Sequence, residues 1–252
     1  MKHRSKTDMI DELKKRDFLI QNYDYQIFKK YSKNDLVLNT PLINIYGRKI
    51  QEYVSEILIK DLVETFKINK YKNILVAGLG NRQVLNDALG PKVIDRLLVT
   101  RGLKIQPQLS AIGPNVYAQT GIESADIIKS IVKEVKPDLV IFIDSLATVA
   151  IERLCASFQI SVEGIKAGSA RKNNNKTLNR KILGCDTLTI GVPMMIYAEN
   201  ILKEKNKGVK DIILTPCDTK KILNLISDII ADSINLSIFS KFSKKEIEVM
   251  IN

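Results

Sequence analysis

Three short apolar runs, separated by segments with helical periodicity, constrain the fold of this chain more than any other feature of its sequence. They lie in residues 72–77, 138–143 and 187–192. Apolar runs without polar alternation are typical of strands that are buried on both faces. Residues 88–99 and 122–135, which lie between the runs, have the length and pattern of helices. This alternation predicts an α/β fold with a mostly parallel sheet and helices on both of its faces.

The segments outside the alternation are predicted to complete a single domain, residues 1–252. Residues 1–39 are charged and irregular, so we expect a peripheral arm ahead of an α/β core over residues 40–252. Residues 51–66 carry apolar side chains at helical spacing and predict an amphipathic helix. Thr215-Pro216-Cys217-Asp218 combines a hydroxyl N-cap, a proline and a carboxylate in capping-box order. A long C-terminal helix is therefore predicted to start at Thr215.

The single histidine of the chain, His3, excludes several classes of active site. Ser-His-Asp and Cys-His sites, three-histidine zinc sites and HExxH helices all need an ordered histidine, and His3 lies in a charged tail. Hydrolysis by this chain would have to rely on carboxylates, lysines, backbone amides or a metal bound by oxygen.

The rest of the composition bears on location and partners. No stretch of the sequence approaches the roughly 18 consecutive apolar residues of a membrane span, and the N-terminus has no apolar signal segment. We therefore expect a cytoplasmic protein without membrane association. Cys155, Cys185 and Cys217 match no zinc spacing and are predicted to be reduced structural thiols. The net charge of +11 favours acidic partners. Direct nucleic-acid binding is not expected, because few aromatic residues lie among the lysines.

Two aspartates are the candidates for chemistry. Asp87 lies in the glycine-bearing loop after the first run, and Asp144 directly follows the second. Ligands bind at the carboxyl ends of parallel strands, so both side chains are expected at one edge of the sheet. Either aspartate could instead cap a helix. If the two carboxylates lie close together, repulsion would leave one protonated and one ionised, which provides an acid and a base without histidine.

Further polar residues and glycines lie near these aspartates in the sequence. Glu123 and Glu152 are candidates for a third group, although Glu152 could pair with Arg153 instead. Two carboxylates alone make a thin shell for a divalent ion, and we predict neither a metal nor a cofactor. Gly78-Leu79-Gly80 does not continue as a dinucleotide-binding motif, because Gln83 replaces the third glycine, and no P-loop triplet occurs.

A series of ordered segments resembles the germination protease family of spore-forming bacteria. The resemblance covers about residues 72–197, and residues 209–237 resemble the last helix of the family. The segments include Gly78-Leu79-Gly80-Asn81, Asp87-Ala88-Leu89-Gly90-Pro91, Thr120-Gly121-Ile122-Glu123, Ile143-Asp144-Ser145-Leu146-Ala147, Ile151-Glu152-Arg153, Gln159-Ile160-Ser161 and Gly191-Val192-Pro193.

The resemblance implies an atypical aspartic-type endopeptidase that initiates the degradation of small acid-soluble spore proteins during germination, in the cytoplasm of the spore core. It also implies a phosphorylase/hydrolase-like core similar to that of hydrogenase maturation proteases. Asp87 and Asp144 correspond to the catalytic pair of the family, and no cofactor is implied. Gly80 and Asn81 are implied as auxiliary or substrate-binding residues, together with the two glutamates named above.

Two further family traits are a zymogen that trims its own N-terminus and assembly into a tetramer. Thr7-Asp8-Met9-Ile10 resembles the processing site, so we expect cleavage between Asp8 and Met9, and a homo-oligomer. The sequence also departs from the family. Leu85-Asn86 replaces the usual Thr-Pro, and a long insertion is missing between residues 200 and 209. These departures leave open an alternative function, a catalytically impaired relative that acts as a basic nucleic-acid or spore-protein binding module.

Overall fold

The protein is described by a computed structural model that covers residues 19–32, 34–40, 43–167, 176–202, 209 and 212–251. Within these residues the main element is a nine-stranded sheet of order β1-β2-β3-β7-β10-β6-β4-β5, with β11 paired to β10, and β8 and β9 form a separate hairpin. The strands are β1 (Leu19–Asn22), β2 (Phe28–Tyr31), β3 (Asp35–Asn39), β4 (Asn73–Gly78), β5 (Gln108–Ile112), β6 (Leu139–Thr148), β7 (Ser157–Ser161), β8 (Ile165–Ala167), β9 (Lys176–Leu178), β10 (Asp186–Tyr197) and β11 (Ile213–Leu214).

Helices and short helical turns connect the strands. The helices are α1 (Ile43–Lys60), α2 (Leu89–Ile94), α3 (Tyr117–Thr120), α4 (Ser124–Val135), α5 (Arg180–Leu183), α6 (Ala198–Leu202), α7 (Thr219–Ile238) and α8 (Lys244–Ile251). A π-helical turn, Asp61–Thr65, follows α1, and 3₁₀ turns lie at Ile68–Lys70, Leu85–Asp87 and Ile151–Arg153.

The centre of the sheet is parallel, as the apolar runs predict. β10, β6, β4 and β5 pair in parallel with one another, and β1, β2, β3 and β7 continue the sheet with antiparallel pairings. The α/β class is confirmed. The sheet is mixed, and its predicted parallel strands form the half that carries the candidate site.

Alternate residues of the central strands pack into two cores on opposite faces of the sheet. Ile74 and Ile141 belong to the first core, which also contains apolar residues of α1, α2 and α7. Leu75 and Val140 belong to the second core, which contains apolar residues of α4. Because side chains of a strand alternate between faces, a strand that is covered on both sides needs a continuous apolar run. This accounts for the three runs in the sequence.

The N-terminal segment differs from the expected peripheral arm where the structure describes it. Residues 19–32 and 34–39 contain β1, β2 and β3, and β3 pairs with β7 inside the main sheet. Leu36 and Leu38 of β3 are fully buried in the first core. Strands of four or five residues carry too few positions for a periodic pattern to reveal them in the sequence.

The second and third predicted strands are longer than expected. β6 continues past Asp144 to Thr148, and β10 continues past Pro193, with an irregularity in the register between Pro193 and Met195. Proline has no N–H to donate to the ladder, so the pairing with β6 shifts at this point and then resumes. Asp144 therefore lies inside a strand, and the prediction that it could cap a helix is wrong.

The long C-terminal helix is confirmed as α7, although it begins at Thr219 and not at Thr215. Asp218 occupies the N-cap position without a side-chain capping bond, and the Thr219 hydroxyl donates to the carbonyl of Pro216. The predicted capping box is therefore absent. The apolar face of α7 is buried as expected, and the helix packs against α1 and α2. The predicted helix over residues 88–99 is shorter in the structure, where α2 ends at Ile94.

Candidate active site

Asp87 is held by the loop between β4 and α2. Its Oδ2 atom accepts a hydrogen bond of 2.9 Å from the backbone N–H of Asn81. The backbone N–H of Asp87 in turn donates to the carbonyl of Val84 at 2.8 Å. The N-cap residue of α2 is Ala88, so the prediction that Asp87 could cap this helix is wrong. The half-buried carboxylate is fixed by the backbone of its own loop.

Gly80 is the residue that lets this loop close on Asp87. Its φ of +115° is a conformation that residues with a side chain rarely adopt. A Cβ atom at position 80 would lie 1.9 Å from the backbone oxygen of Asp87 and 3.2 Å from its Oδ1 atom. Gly80 and Asn81 both contact Asp87 directly, and the auxiliary or substrate-binding role expected for them stays a prediction.

The loop is attached to β6 on both sides of Asp144. At its start, the N–H of Leu79 donates to the carbonyl of Ile143 at 2.8 Å. At its end, the N–H of Leu89 lies 3.4 Å from the hydroxyl oxygen of Ser145. The segment that carries Asp87 thus begins and ends against the two neighbours of Asp144 in the sequence. The structure brings the two candidate regions together at the carboxyl end of β4, where Gly78 pairs with Ile143, although Asp144 itself lies inside β6.

Asp144 is almost completely buried, with 1% of its surface exposed. It lies opposite Gly191 of β10, and the alternation along β6 places it on the same face as Phe142, in the direction of the second core. A buried carboxylate is costly unless hydrogen bonds or an ion pair compensate its charge. A Cβ atom at position 191 would lie 2.6 Å from Cδ1 of Leu146, so a larger residue there would require the Leu146 side chain to move.

A cluster of side-chain amides supports the start of the loop. The Nε2 atom of Gln119, in α3, donates to Oδ1 of Asn81 at 3.0 Å and to Oε1 of Gln83 at 3.1 Å. The backbone N–H of Gln83 also donates to Oδ1 of Asn81, at 2.9 Å. Gln119 was not among the predicted site residues, because it is separated from Asn81 by 38 positions and belongs to no motif. Only the packing of α3 beside the loop brings the two amides together.

A cavity of about 720 Å³ lies beside the turn that carries Asp87. Leu85 lines one side, and the segment from Thr215 to Lys221 at the start of α7 lines another. Leu85, Lys220 and Lys221 are exposed, so the cavity combines an apolar wall with two basic side chains. No sequence pattern indicated it, because its two walls are far apart in the chain.

The remaining predicted site residues lie in different settings. Glu123 is the half-buried N-cap residue of α4, where its backbone carbonyl accepts from Asp126 and Ile127. Glu152 is exposed in the 3₁₀ turn Ile151–Arg153. Auxiliary roles for both glutamates stay predictions. The expected processing site at Asp8 and Met9 lies outside the described residues.

The described residues also bear on metals, membranes and thiols. Among them, no group of three or more His, Cys, Asp or Glu side chains is arranged to hold a metal ion. In the same part of the chain, no helix combines the length and the apolar character needed to cross a bilayer. Cys155, Cys185 and Cys217 are free thiols, and burial raises the pKa of Cys155 to about 12.

Structural comparison finds hydrogenase maturation proteases among solved structures. The NiFe hydrogenase maturation protease HycI from Thermococcus kodakarensis KOD1 is 19% identical, covers 70% of this chain and 98% of its own, and superposes with a TM-score of 0.43. A hydrogenase 2 maturation peptidase from Thaumarchaeota archaeon SCGC_AB-539-E09 is 16% identical over 66% of this chain and 99% of its own, with a TM-score of 0.32.

Sequence comparison gives a more specific result. The family model of germination proteases matches residues 3–207. The germination protease of Clostridium tetani is 33% identical over an alignment of 267 positions, which covers 87% of this chain and 82% of the relative. The germination protease of Bacillus subtilis strain 168 is 41% identical, and the match spans 70% of this chain but only 53% of the relative. This chain belongs to the germination protease family.

Proposed function

We propose that this chain is an endopeptidase that cleaves small acid-soluble spore proteins during germination, with Asp87 and Asp144 as its acid–base pair. The observation that carries the proposal is the attachment of the Asp87 loop to Ile143 and Ser145, the two neighbours of Asp144. The substrate class follows from membership in the family and not from the geometry. The site of action that goes with this substrate is the cytoplasm of the spore core.

Two neighbouring carboxylates can perform peptide hydrolysis without histidine. This chemistry needs one carboxylate that is ionised and one that is protonated. The ionised carboxylate takes a proton from water as the water attacks the peptide carbonyl. The protonated one donates its proton to the carbonyl oxygen or to the leaving nitrogen. We assign these two roles to Asp87 and Asp144 jointly, because protons in such a pair belong to both groups.

The cavity beside Leu85 provides space for a substrate segment along the turn that carries Asp87. Leu85 and Pro216 offer apolar contacts, and Lys220 and Lys221 offer positive charge. The chain as a whole carries a net charge of +11, which attracts acidic proteins at a distance. Both features support a substrate that combines acidic and apolar residues in an extended segment.

The test is incubation of the purified chain with a small acid-soluble spore protein and mass spectrometry of the fragments. We expect discrete cuts by the unmodified chain and by the control variant Asp24→Asn, which removes an exposed carboxylate in the turn between β1 and β2. Asp87→Asn and Asp144→Asn should lose cleavage by at least about 100-fold while they remain folded, because general acid–base catalysis contributes about 10²–10⁴-fold. Cleavage retained in either variant would contradict the proposed pair. No cleavage by a folded, unmodified chain would contradict the proposed activity.

A further inference from the structure

We propose that Gln119 is a positioning residue for the acid–base pair. It holds the side chain of Asn81, and the backbone N–H of Asn81 holds the carboxylate of Asp87. The expected loss of kcat rests on the proposed function, whereas the expected loosening of the Asn81 N–H does not. The two can therefore be tested separately.

Asn81 is held in its turn by hydrogen bonds to its side chain and its carbonyl. Its Oδ1 atom accepts two of them, from the side chain of Gln119 at 3.0 Å and from the backbone N–H of Gln83 at 2.9 Å. The second of these is a local turn of the kind that asparagine forms with the backbone two residues further on. The carbonyl of Asn81 also accepts from the N–H of Val84 at 3.1 Å. The side chain and the carbonyl of Asn81 therefore act together to define the turn.

The direction of the Asn81 N–H follows from this turn. It points at Oδ2 of Asp87, with 2.9 Å between nitrogen and oxygen. A hydrogen bond to a carboxylate is stronger than one between neutral groups, so its direction matters for where the carboxylate lies. Gly80 and Asn81 thus contact Asp87 directly, and Gln119 acts on Asp87 through Asn81.

Gln119 suits this role because it is a donor from outside the loop. Its single Nε2 group bridges Oδ1 of Asn81 and Oε1 of Gln83, so it ties two side chains of the turn to α3. The side chain itself is exposed, and the fold does not depend on its burial. Removal of this exposed amide should therefore loosen the loop that carries Asn81 and change the free energy of unfolding of the whole chain little.

The chemistry offers a matched pair of variants. Gln119→Glu keeps the shape of the side chain but replaces the donor group by a carboxylate oxygen, which cannot donate when ionised. Gln119→Ala removes the side chain without adding charge. Gln21→Glu is the control, because Gln21 is also exposed and lies in β1, at the opposite edge of the sheet from β5.

The first experiment measures hydrogen exchange of the Asn81 backbone N–H by NMR, with the N–H of Leu79 as an internal reference. Leu79 donates to Ile143 of β6, so its exchange should not change. For Asn81 we expect exchange that is about threefold to tenfold faster in both Gln119 variants, the effect of losing a hydrogen bond of ordinary strength. Unchanged exchange at Asn81 would overturn the inference whether or not the chain is a protease.

The second experiment measures kcat and KM separately for cleavage of a small acid-soluble spore protein. Both Gln119 variants should lower kcat by about threefold to tenfold and leave KM and the melting temperature unchanged, while Gln21→Glu matches the unmodified chain. A rise in KM with unchanged kcat would mean that Gln119 contacts substrate, and a loss in Gln119→Glu alone would mean a charge effect. Either result would overturn the positioning role. Absence of cleavage by the unmodified chain would refute the proposed function and leave the exchange experiment decisive for Gln119.

Discussion

The substitution Gly80→Ala tests the geometry of the site most sharply, because Gly80 touches Asp87 but contributes no functional group. The added Cβ would lie 1.9 Å from the backbone oxygen of Asp87, whereas Cβ atoms essentially never approach other atoms closer than 3.0 Å. The Asp87 carbonyl, or Gly80 itself, must therefore move by at least 3.0 − 1.9 = 1.1 Å. A shift of Asp87 moves its carboxylate directly, and a shift of Gly80 moves the adjacent Asn81 N–H, which holds that carboxylate.

The size of the effect follows from two separate costs. A residue with a side chain at a φ of +115° is strained by about 1–3 kcal/mol. A displacement of about 1 Å in a reacting group lowers the rate by about 100-fold. We therefore expect Gly80→Ala to unfold at a melting temperature several degrees lower, and to lose about 100-fold in kcat.

Gly102→Ala provides the matched control. Gly102 also has a positive φ, +85°, but a Cβ atom there would meet nothing within 4 Å. This variant should lose about 1–2 kcal/mol from the strained backbone alone and keep its activity. For a chain of this size, 1 kcal/mol corresponds to about 2–4 °C in melting temperature.

The assay compares the two variants by cleavage of a small acid-soluble spore protein and by thermal unfolding followed by circular dichroism. If Gly80→Ala kept kcat within about threefold of the unmodified chain, the close contact between Gly80 and Asp87 would not matter for catalysis. If Gly102→Ala lost as much activity as Gly80→Ala, the loss would reflect general destabilisation. Either result would refute a specific role of this contact in holding Asp87.

Two further predictions concern the thiols and a buried ion pair between Lys29 of β2 and Asp61, the first residue after α1. Lys29→Met should lower the free energy of unfolding, measured in urea, by about 3–5 kcal/mol, because it leaves Asp61 buried without the ammonium that lies 2.5 Å away. The control is Lys244→Met, which removes the partner of Asp232 in a more exposed ion pair and should cost less than about 1 kcal/mol. Burial lowers the pKa of Lys29, but the hydrogen bonds and charges of Asp61 and Tyr23 together outweigh it, so the net pKa is raised. This stabilisation is present below the ordinary pKa of lysine and is lost as the pH rises through the raised value. Iodoacetamide at pH 8 should label the exposed Cys217 in the native chain and should label Cys155 only after unfolding. The reason is that Cys155 is buried, which raises its pKa to about 12. Equal labelling of both thiols in the native state would contradict the structure.

The parts of the fold that sequence patterns predicted are those with long or continuous signals. The runs that contain Ile74 and Ile141 predicted central strands, because a strand between two cores must be apolar throughout. The repeated apolar positions of α7 predicted a docked helix for the same reason, since one side of a long helix faces the core. The positions at which these elements begin and end were predicted less well. The actual start of α7 at Thr219 depends on local contacts that a capping pattern does not specify.

The N-terminal strands and the extension of β6 show why other parts of the fold could not be predicted. β1, β2 and β3 are short, and what makes them strands is pairing with one another and with β7, which lies more than a hundred residues away in the chain. β6 continues past the apolar run because β10 remains beside it, so a polar residue such as Asp144 can lie in mid-strand. Hydrogen bonds between distant segments override the local pattern in both cases.

Residue types and their local order along the chain were enough to predict the class of fold, to exclude histidine chemistry and to select Asp87 and Asp144 as candidates. The way in which the loop of Asp87 is held became visible only in the folded chain. Gly80 lies against Asp87, Gln119 donates to Asn81, and the loop begins and ends beside the neighbours of Asp144. These contacts join segments that are up to 64 positions apart in the sequence, as in the hydrogen bond from Leu79 to Ile143. Such pairings arise when strands and helices pack, and no local pattern encodes them.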